Sequence, residues 1–302
     1  MIKIYLKLLG MAVFWGGTFI AGKVAAQHVA PYSAAFLRFA IASFFLLLAV
    51  WKIEGRLPAI RPKQLFPIFL LGLTGVFAYN IFFFKGLKLI EAGRAAIIIA
   101  NNPIFIALFS ALIFRERLTP VRLTGILVSI SGAVLVITRG SWSVFSSGQV
   151  GWGELFILGC VASWVTFSLL GKSLLAELSP LTAVLYASLS GVMCLALPAW
   201  HEGILAAWPG YTPLDWLALF YLGFFGTVLG FVWYYQGIQR IGAMKAGVFI
   251  NFVPISAIIF SYFLLHEQPT ASLLAGTVLV LSGVYLTNRP APQRSQLNLR
   301  RR

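Results

Sequence analysis

Charge is what this sequence has least of. Only 10% of its 302 residues are Asp, Glu, Lys or Arg, while 60% are hydrophobic. Soluble domains carry about 25% charged residues. One of this size could not hide so much apolar side chain behind a polar shell, and a lipid-facing exterior removes that need. Acid is scarcest. The eight acidic residues are Glu54, Glu91, Glu116, Glu154, Glu177, Glu202, Asp215 and Glu267, and nearly all lie in loops or within a turn of the end of an apolar run. None is expected at mid-membrane, where proton-coupled pumps commonly keep a carboxylate. That absence favours a facilitator running down a substrate gradient, or coupling through a peripheral group.

Other absences narrow the function further. The two cysteines, Cys160 and Cys194, sit inside apolar runs without metal-ligand spacing and read as packing residues. His28, His201 and His266 are scattered and form no HExxH pair. An intramembrane enzyme needs a nucleophile–base set or metal ligands at depth, and the sequence offers neither. No GxxxxGK[ST] motif occurs, so the chain encodes no ATP-driven pump. No cofactor is implied. The net charge of +15 could indicate a nucleic-acid binder, but the basic residues form short clusters between apolar runs rather than one stripe.

What is present is a series of long apolar runs. A bilayer core about 30 Å thick takes roughly 20 residues of helix. Ten such runs occur, near 4–24, 31–51, 66–86, 93–114, 118–138, 151–171, 180–200, 214–236, 244–265 and 270–288. Pro31, Pro120, Pro180 and Pro269 stand at or near run starts, where a missing N–H costs little. Seventeen of the 23 Lys and Arg residues fall on the side that carries both termini, and the segments 201–213 and 266–269 on the other side carry none. The positive-inside rule then puts both termini in the cytoplasm. Lys3 and Lys7 before an apolar run could also mark a cleaved signal peptide. The first span has a partner in the second half of the chain, which argues that it is retained.

That partner belongs to an internal repeat. Trp15, Lys23 and Pro31 match Trp164, Lys172 and Pro180, each pair 149 residues apart. Gly72, Ile90, Ala92, Pro103, Glu116 and Thr119 match Gly223, Ile241, Ala243, Pro254, Glu267 and Thr270, each pair 151 apart. Each repeat holds five spans, an odd number, so the second enters the membrane from the opposite side. The expected fold is all-α integral membrane: ten transmembrane helices as two inverted-topology five-helix repeats, a common plan for secondary transporters. The repeats are expected at 1–140 and 141–288, with a basic tail at 289–302. Gly125, Ser129 and Ala133 allow close helix contact, read as packing within one chain. The protein is then a monomer or a weak dimer.

The stretches FWGGTFIAGK (14–23), FRERLT (114–119) with LHEQPT (265–270), and SGAVLV with SGVYLT at the two repeat ends resemble the drug/metabolite transporter superfamily. The likeness is to its ten-helix branch with two EamA domains and covers roughly residues 4–288. It implies an exporter of amino acids or other small metabolites in the bacterial inner membrane, most similar in look to exporters of aromatic amino acids.

In inverted repeats the substrate site lies near the midplane, beside irregular helices. Pro103 and Pro254 are matched prolines deep in spans four and nine, and each frees a carbonyl four residues earlier. They are the candidate gating kinks. Asn101, Asn102 and Asn251 sit beside them; such amides either satisfy the kinked backbone or reach a polar ligand. Trp15 with Thr18, and Trp164 with Ser168, share helix faces near mid-span. Tyr79, Asn80, Phe83 and Trp233 complete the candidate substrate-binding set. Trp233, Tyr234 and Tyr235 also suit interfacial anchors. Arg38 is the one charge plainly within a span. Glu116 and Glu267, each three residues before a Thr, read as turn and cap structure. The expected substrate is a small neutral or zwitterionic metabolite, an amino acid before a xenobiotic or a nucleobase-like compound.

Overall fold

The computed structural model describes residues 1–114, 119–141, 151–174 and 178–288. Glu116 with its flanking arginines, Glu177, the side chain of Lys172 and the tail from 289 onward lie outside the described residues. The described residues form helices and connecting turns without strands. The spans are α1 (Ile2–His28), α2 (Pro31–Glu54), α3 (Pro62–Leu89), α4 (Ala92–Ile99 and Asn102–Phe114) and α5 (Pro120–Ile137). The second half supplies α6 (Trp152–Leu174), α7 (Pro180–His201), α8 (Pro213–Ile241), α9 (Ala243–Val248 and Phe252–Leu265) and α10 (Ala271–Thr287). Nine of these are long and apolar enough to cross a membrane. The tenth, α10, has 17 residues, about 26 Å of helix.

Local chemistry sets the starts. Proline occupies the first turn of α2, α5 and α7, where no intrahelical acceptor awaits its N–H. The hydroxyls of Thr119, Ser179 and Thr270 cap α5, α7 and α10 by accepting from the backbone N–H three residues on. Large apolar side chains such as Phe66, Leu112, Met193 and Phe263 point outward and remain exposed. An apolar belt of this kind needs lipid, not water, around it.

Packing follows the repeat pairwise. α1 lies on α9 as α6 lies on α4; α1 lies on α8 as α6 lies on α3; α2 meets the middle of α8 as α7 meets the middle of α3. Two further pairs, α2 with α7 and α5 with α10, join repeat mates to each other. The two inverted halves are therefore interlocked rather than set side by side. Glycine permits the closest of these contacts. A Cβ on Gly132 would lie 2.8 Å from the Gly276 carbonyl oxygen, and one on Gly276 would lie 2.9 Å from that of Gly132. The small-residue face of α5 is thus spent inside the chain, through Gly125, Ser129 and Gly132.

Candidate functional site

The middle of each half departs from the α-helix at the same place. α3 widens to π-helical turns over Gly72–Ala78, and α8 does so over Tyr221–Leu229. The two segments are repeat mates, beginning with or enclosing Gly72, Gly75, Gly223 and Gly226. Wide turns shift carbonyls off the regular ladder, and within lipid these must find other donors. The hydroxyls of Thr74 and Thr227 donate to the carbonyls of Leu70 and Leu222 at 2.8 and 3.0 Å. Trp15 Nε1 donates to the Gly226 carbonyl at 2.9 Å, where a Cβ on Gly226 would lie 2.5 Å from Thr18 Cγ2.

Spans four and nine are the second pair of irregularities. α4 stops at Ile99 and restarts at Asn102, which places Pro103 in the first turn of the new helix. α9 passes through a 3-10 turn at Phe249–Asn251 before Phe252, with Pro254 likewise in a first turn. Both prolines thus stand where their missing donor is harmless. Asn101 serves the break. Its Nδ2 donates to the Ile97 carbonyl at 3.1 Å, and its Oδ1 accepts from Ser129 Oγ at 2.8 Å.

A cavity of about 720 Å³ lies between the halves, bounded by these irregular segments. Its lining includes Trp15, Thr18, Tyr79, Asn102, Pro103, Trp164, Ser168, Asn251 and Pro254. Tyr79 stands 5.6 Å from Trp164 between ring centroids, and Trp15 stands 5.5 Å from both Phe231 and Tyr234. The hydroxyls of Thr18 and Ser168 donate to the carbonyls of Trp15 and Trp164 at 2.6 and 2.8 Å. Toward the cavity they are therefore acceptors. Asn102 Oδ1 is buried without a partner.

Four candidates do not line this cavity. Asn80 is 1% exposed and accepts from Arg38 Nη1 at 2.8 Å. Phe83 is packed against Phe19, Tyr79 and Phe84. Asn101 is turned into the α4 break. Trp233 lies against Gly10 and Phe14 on α1, and Gln236 on the same side accepts from Lys7. Their places on the lining are taken by Phe231, Tyr234, Tyr235, Arg38 and Arg122. The two tyrosines and Arg122 carried signals that pointed elsewhere: a belt position for the former and a loop cluster for the latter.

The cavity is one-sided. Its lining reaches Arg122, Gly171, Pro180, Gly247 and Asn288, all at the bundle end that holds the N-terminus. At the other end polar ties between the halves close it. Glu267 accepts from the backbone N–H groups of Ala92 and Gly93 at 2.8 and 3.2 Å, and beside this tie, within the first half, Lys23 Nζ donates to the Ile90 carbonyl at 2.8 Å. Arg94 pairs with Glu154 at 2.9 Å and His28 meets Asp215 at 3.2 Å. The cap at Thr270 thus stands as read, while Glu267 caps a helix of the opposite half. No described acidic side chain lines the cavity, and no described residues group as metal ligands.

A helical bundle of this depth, with an aromatic cavity between two interlocked repeats, has the build of a multi-pass membrane transporter. The chain belongs to the EamA-like transporter family, whose model matches residues 2–138 and again 151–289. It is 30% identical to "Uncharacterized transporter YyaM" of Bacillus subtilis strain 168, over 94% of this chain and 92% of that one. It is 28% identical to the "Probable terminal-alkyne amino-acid exporter" of Streptantibioticus cattleyicolor, over 92% and 90%. The same identity holds to the "Probable amino-acid metabolite efflux pump" of Salmonella typhimurium, over 93% of each. A solved crystal structure shares the fold with a TM-score of 0.68 at 20% identity, covering 96% of this chain and 99% of that one.

Proposed function

We propose that the protein is a secondary carrier that exports small neutral or zwitterionic metabolites, amino acids foremost, by alternating access between its two inverted halves. The observation that carries this reading is the cavity: about 720 Å³, between the halves, walled by aromatic faces with a few neutral acceptors. Such walls suit an amphipathic solute with an apolar side chain. The names of the Streptantibioticus and Salmonella relatives support the amino-acid class. In this reading Trp15, Thr18, Tyr79, Asn102, Trp164, Ser168 and Asn251 contact substrate, and the breaks at Pro103 and Pro254 are the hinges of gating.

Positive-inside orientation in a bacterial inner membrane would put the open end in the cytoplasm, where an exporter loads. With no carboxylate among the described lining residues, transport down the substrate gradient is favoured over coupling through a peripheral group. Flat aromatic walls also suit xenobiotics and nucleobase-like compounds, which form the second reading. The test is transport in proteoliposomes with a panel of labelled amino acids, with and without a pH gradient. Saturable movement of at least one apolar amino acid, indifferent to pH gradient, is expected. Movement of none would overturn the amino-acid reading.

A further inference from the structure

Arg38 stands at the closed end of the cavity, about two turns into α2, and is only 9% exposed. A small recess of about 50 Å³ lies behind it. Its Nη1 donates to Asn80 Oδ1 at 2.8 Å, and Asn80 is fixed in turn by its Nδ2 on the Val76 carbonyl at 2.7 Å. The guanidinium carbon lies 5.1 Å from the Phe39 ring centroid and 5.9 Å from that of Phe83. Its Nε is buried and donates to no group. A buried charge is costly unless a countercharge and hydrogen bonds replace its hydration. One amide and two ring faces provide no countercharge, and no described carboxylate borders the cavity or its recess.

A second cation repeats the sign at the other end. Arg122, in the first turn of α5, lines the mouth, and its Nε is also buried without a partner. Between the two arginines the walls are aromatic, apolar or neutral polar. Among the described residues, the charges on the cavity lining are therefore both positive, one at the mouth and one at the closed end. A solute ammonium would meet only neutral acceptors such as Asn102 Oδ1. A solute carboxylate would meet a planar guanidinium whose N–H fork matches its two oxygens.

We propose that Arg38 binds the carboxylate of the transported solute, so that the carrier selects for a carboxylate and not for an ammonium. The inference rests on the reading of this cavity as the substrate site. It names the class as small carboxylates with an apolar or aromatic body that lies on Tyr79, Trp164 and Phe231. Amino acids belong to it, and so do aryl-alkyl acids without an amino group.

The test uses the purified full chain in detergent and equilibrium dialysis with three labelled probes: L-phenylalanine, 3-phenylpropionate and phenethylamine. Wild-type protein is expected to bind 3-phenylpropionate at least about tenfold more tightly than phenethylamine, the difference one charge-assisted pair makes. In Arg38→Gln that preference is expected to vanish, and in Arg38→Lys to persist in part. A purely structural Arg38 would weaken all probes alike in Arg38→Gln and leave their ratio unchanged, which would overturn the proposal. So would wild-type protein that binds phenethylamine as well as 3-phenylpropionate, or that binds neither carboxylate probe. The wild-type arm stands even if Arg38→Gln fails to fold. If 3-phenylpropionate binds while no amino acid is bound or transported, the carboxylate assignment stands and the amino-acid reading falls. If phenylalanine is transported but phenethylamine binds equally well, the reverse holds.

Discussion

The Glu267 carboxylate, at the start of the α9–α10 link, accepts the backbone N–H of Ala92 at 2.8 Å across the boundary between the halves. It thereby caps the N-terminus of α4, where unpaired donors and the helix dipole favour a negative charge. This contact closes the cavity at the end away from the N-terminus. Glu267→Gln keeps an acceptor but removes the charge, a loss of about 1–2 kcal/mol. The far end is then expected to open more often, by roughly 5- to 30-fold. The measurement is labelling of Ala96→Cys, a position in α4 on the cavity lining, by a membrane-impermeant maleimide applied from the far side to protein lacking Cys160 and Cys194. An unchanged labelling rate would show that Glu267 holds no gate.

Not every tie between the halves is expected to hold the far end shut. Glu202 accepts from Ser33 N and Oγ at one end of the α2–α7 pair, and Glu54 accepts from Ser179 and Thr182 hydroxyls at the other. A pair tied at both ends behaves as a fixed unit. Glu202→Gln and Glu54→Gln are each expected to lower stability by about 1–2 kcal/mol, additively since the sites are far apart, without biasing one end toward opening. Thermal unfolding of the single and double variants, alongside the Ala96→Cys labelling rate, checks both parts.

The α5–α10 contact is expected to tolerate no side chain. A Cβ on Gly283 would lie 2.5 Å from the Gly125 carbonyl oxygen and the Ser129 nitrogen. Both are backbone atoms and cannot swing aside. Gly283→Leu should cost at least about 1–3 kcal/mol and appear as loss of monodisperse protein on gel filtration. A variant that purifies and melts like the parent would contradict the close approach.

The two tryptophans, alike in sequence, are expected to differ in their effects. Trp15 donates to Gly226, so Trp15→Phe removes a hydrogen bond to a carbonyl of the wide turn and costs about 1 kcal/mol of stability. Trp164 instead packs on Tyr79 and Phe167. Trp164→Ala should reduce transport about tenfold or more, as loss of a ring contact to substrate does, with a smaller fall in melting temperature. Transport and melting curves on the same preparations separate the two; equal effects on both proteins would refute the difference.

The sequence by itself determined the spans, their number and the repeat. Apolar length requires a bilayer, and constant register between Trp15 and Trp164 or Pro103 and Pro254 requires duplication. It also located the breaks in α4 and α9, because a proline cannot sit inside an unbroken hydrogen-bond ladder, but not the wide turns of α3 and α8, turns that hold no proline. Which face of each helix meets the cavity was decided only in the tertiary structure. In water a helix shows its buried side by where its apolar residues fall; in lipid both sides are apolar and that sign is lost. The π-helical turns of α8 add to this, since wide turns rotate the residues that follow, and Tyr234 and Tyr235 come to the cavity while Trp233 turns to Gly10. Partners distant in sequence did the rest. Asn101 found Ser129, Glu267 found Ala92, and Arg38 found Asn80 but no acid, because each pairing depends on how two inverted halves interlock and not on spacing along either one.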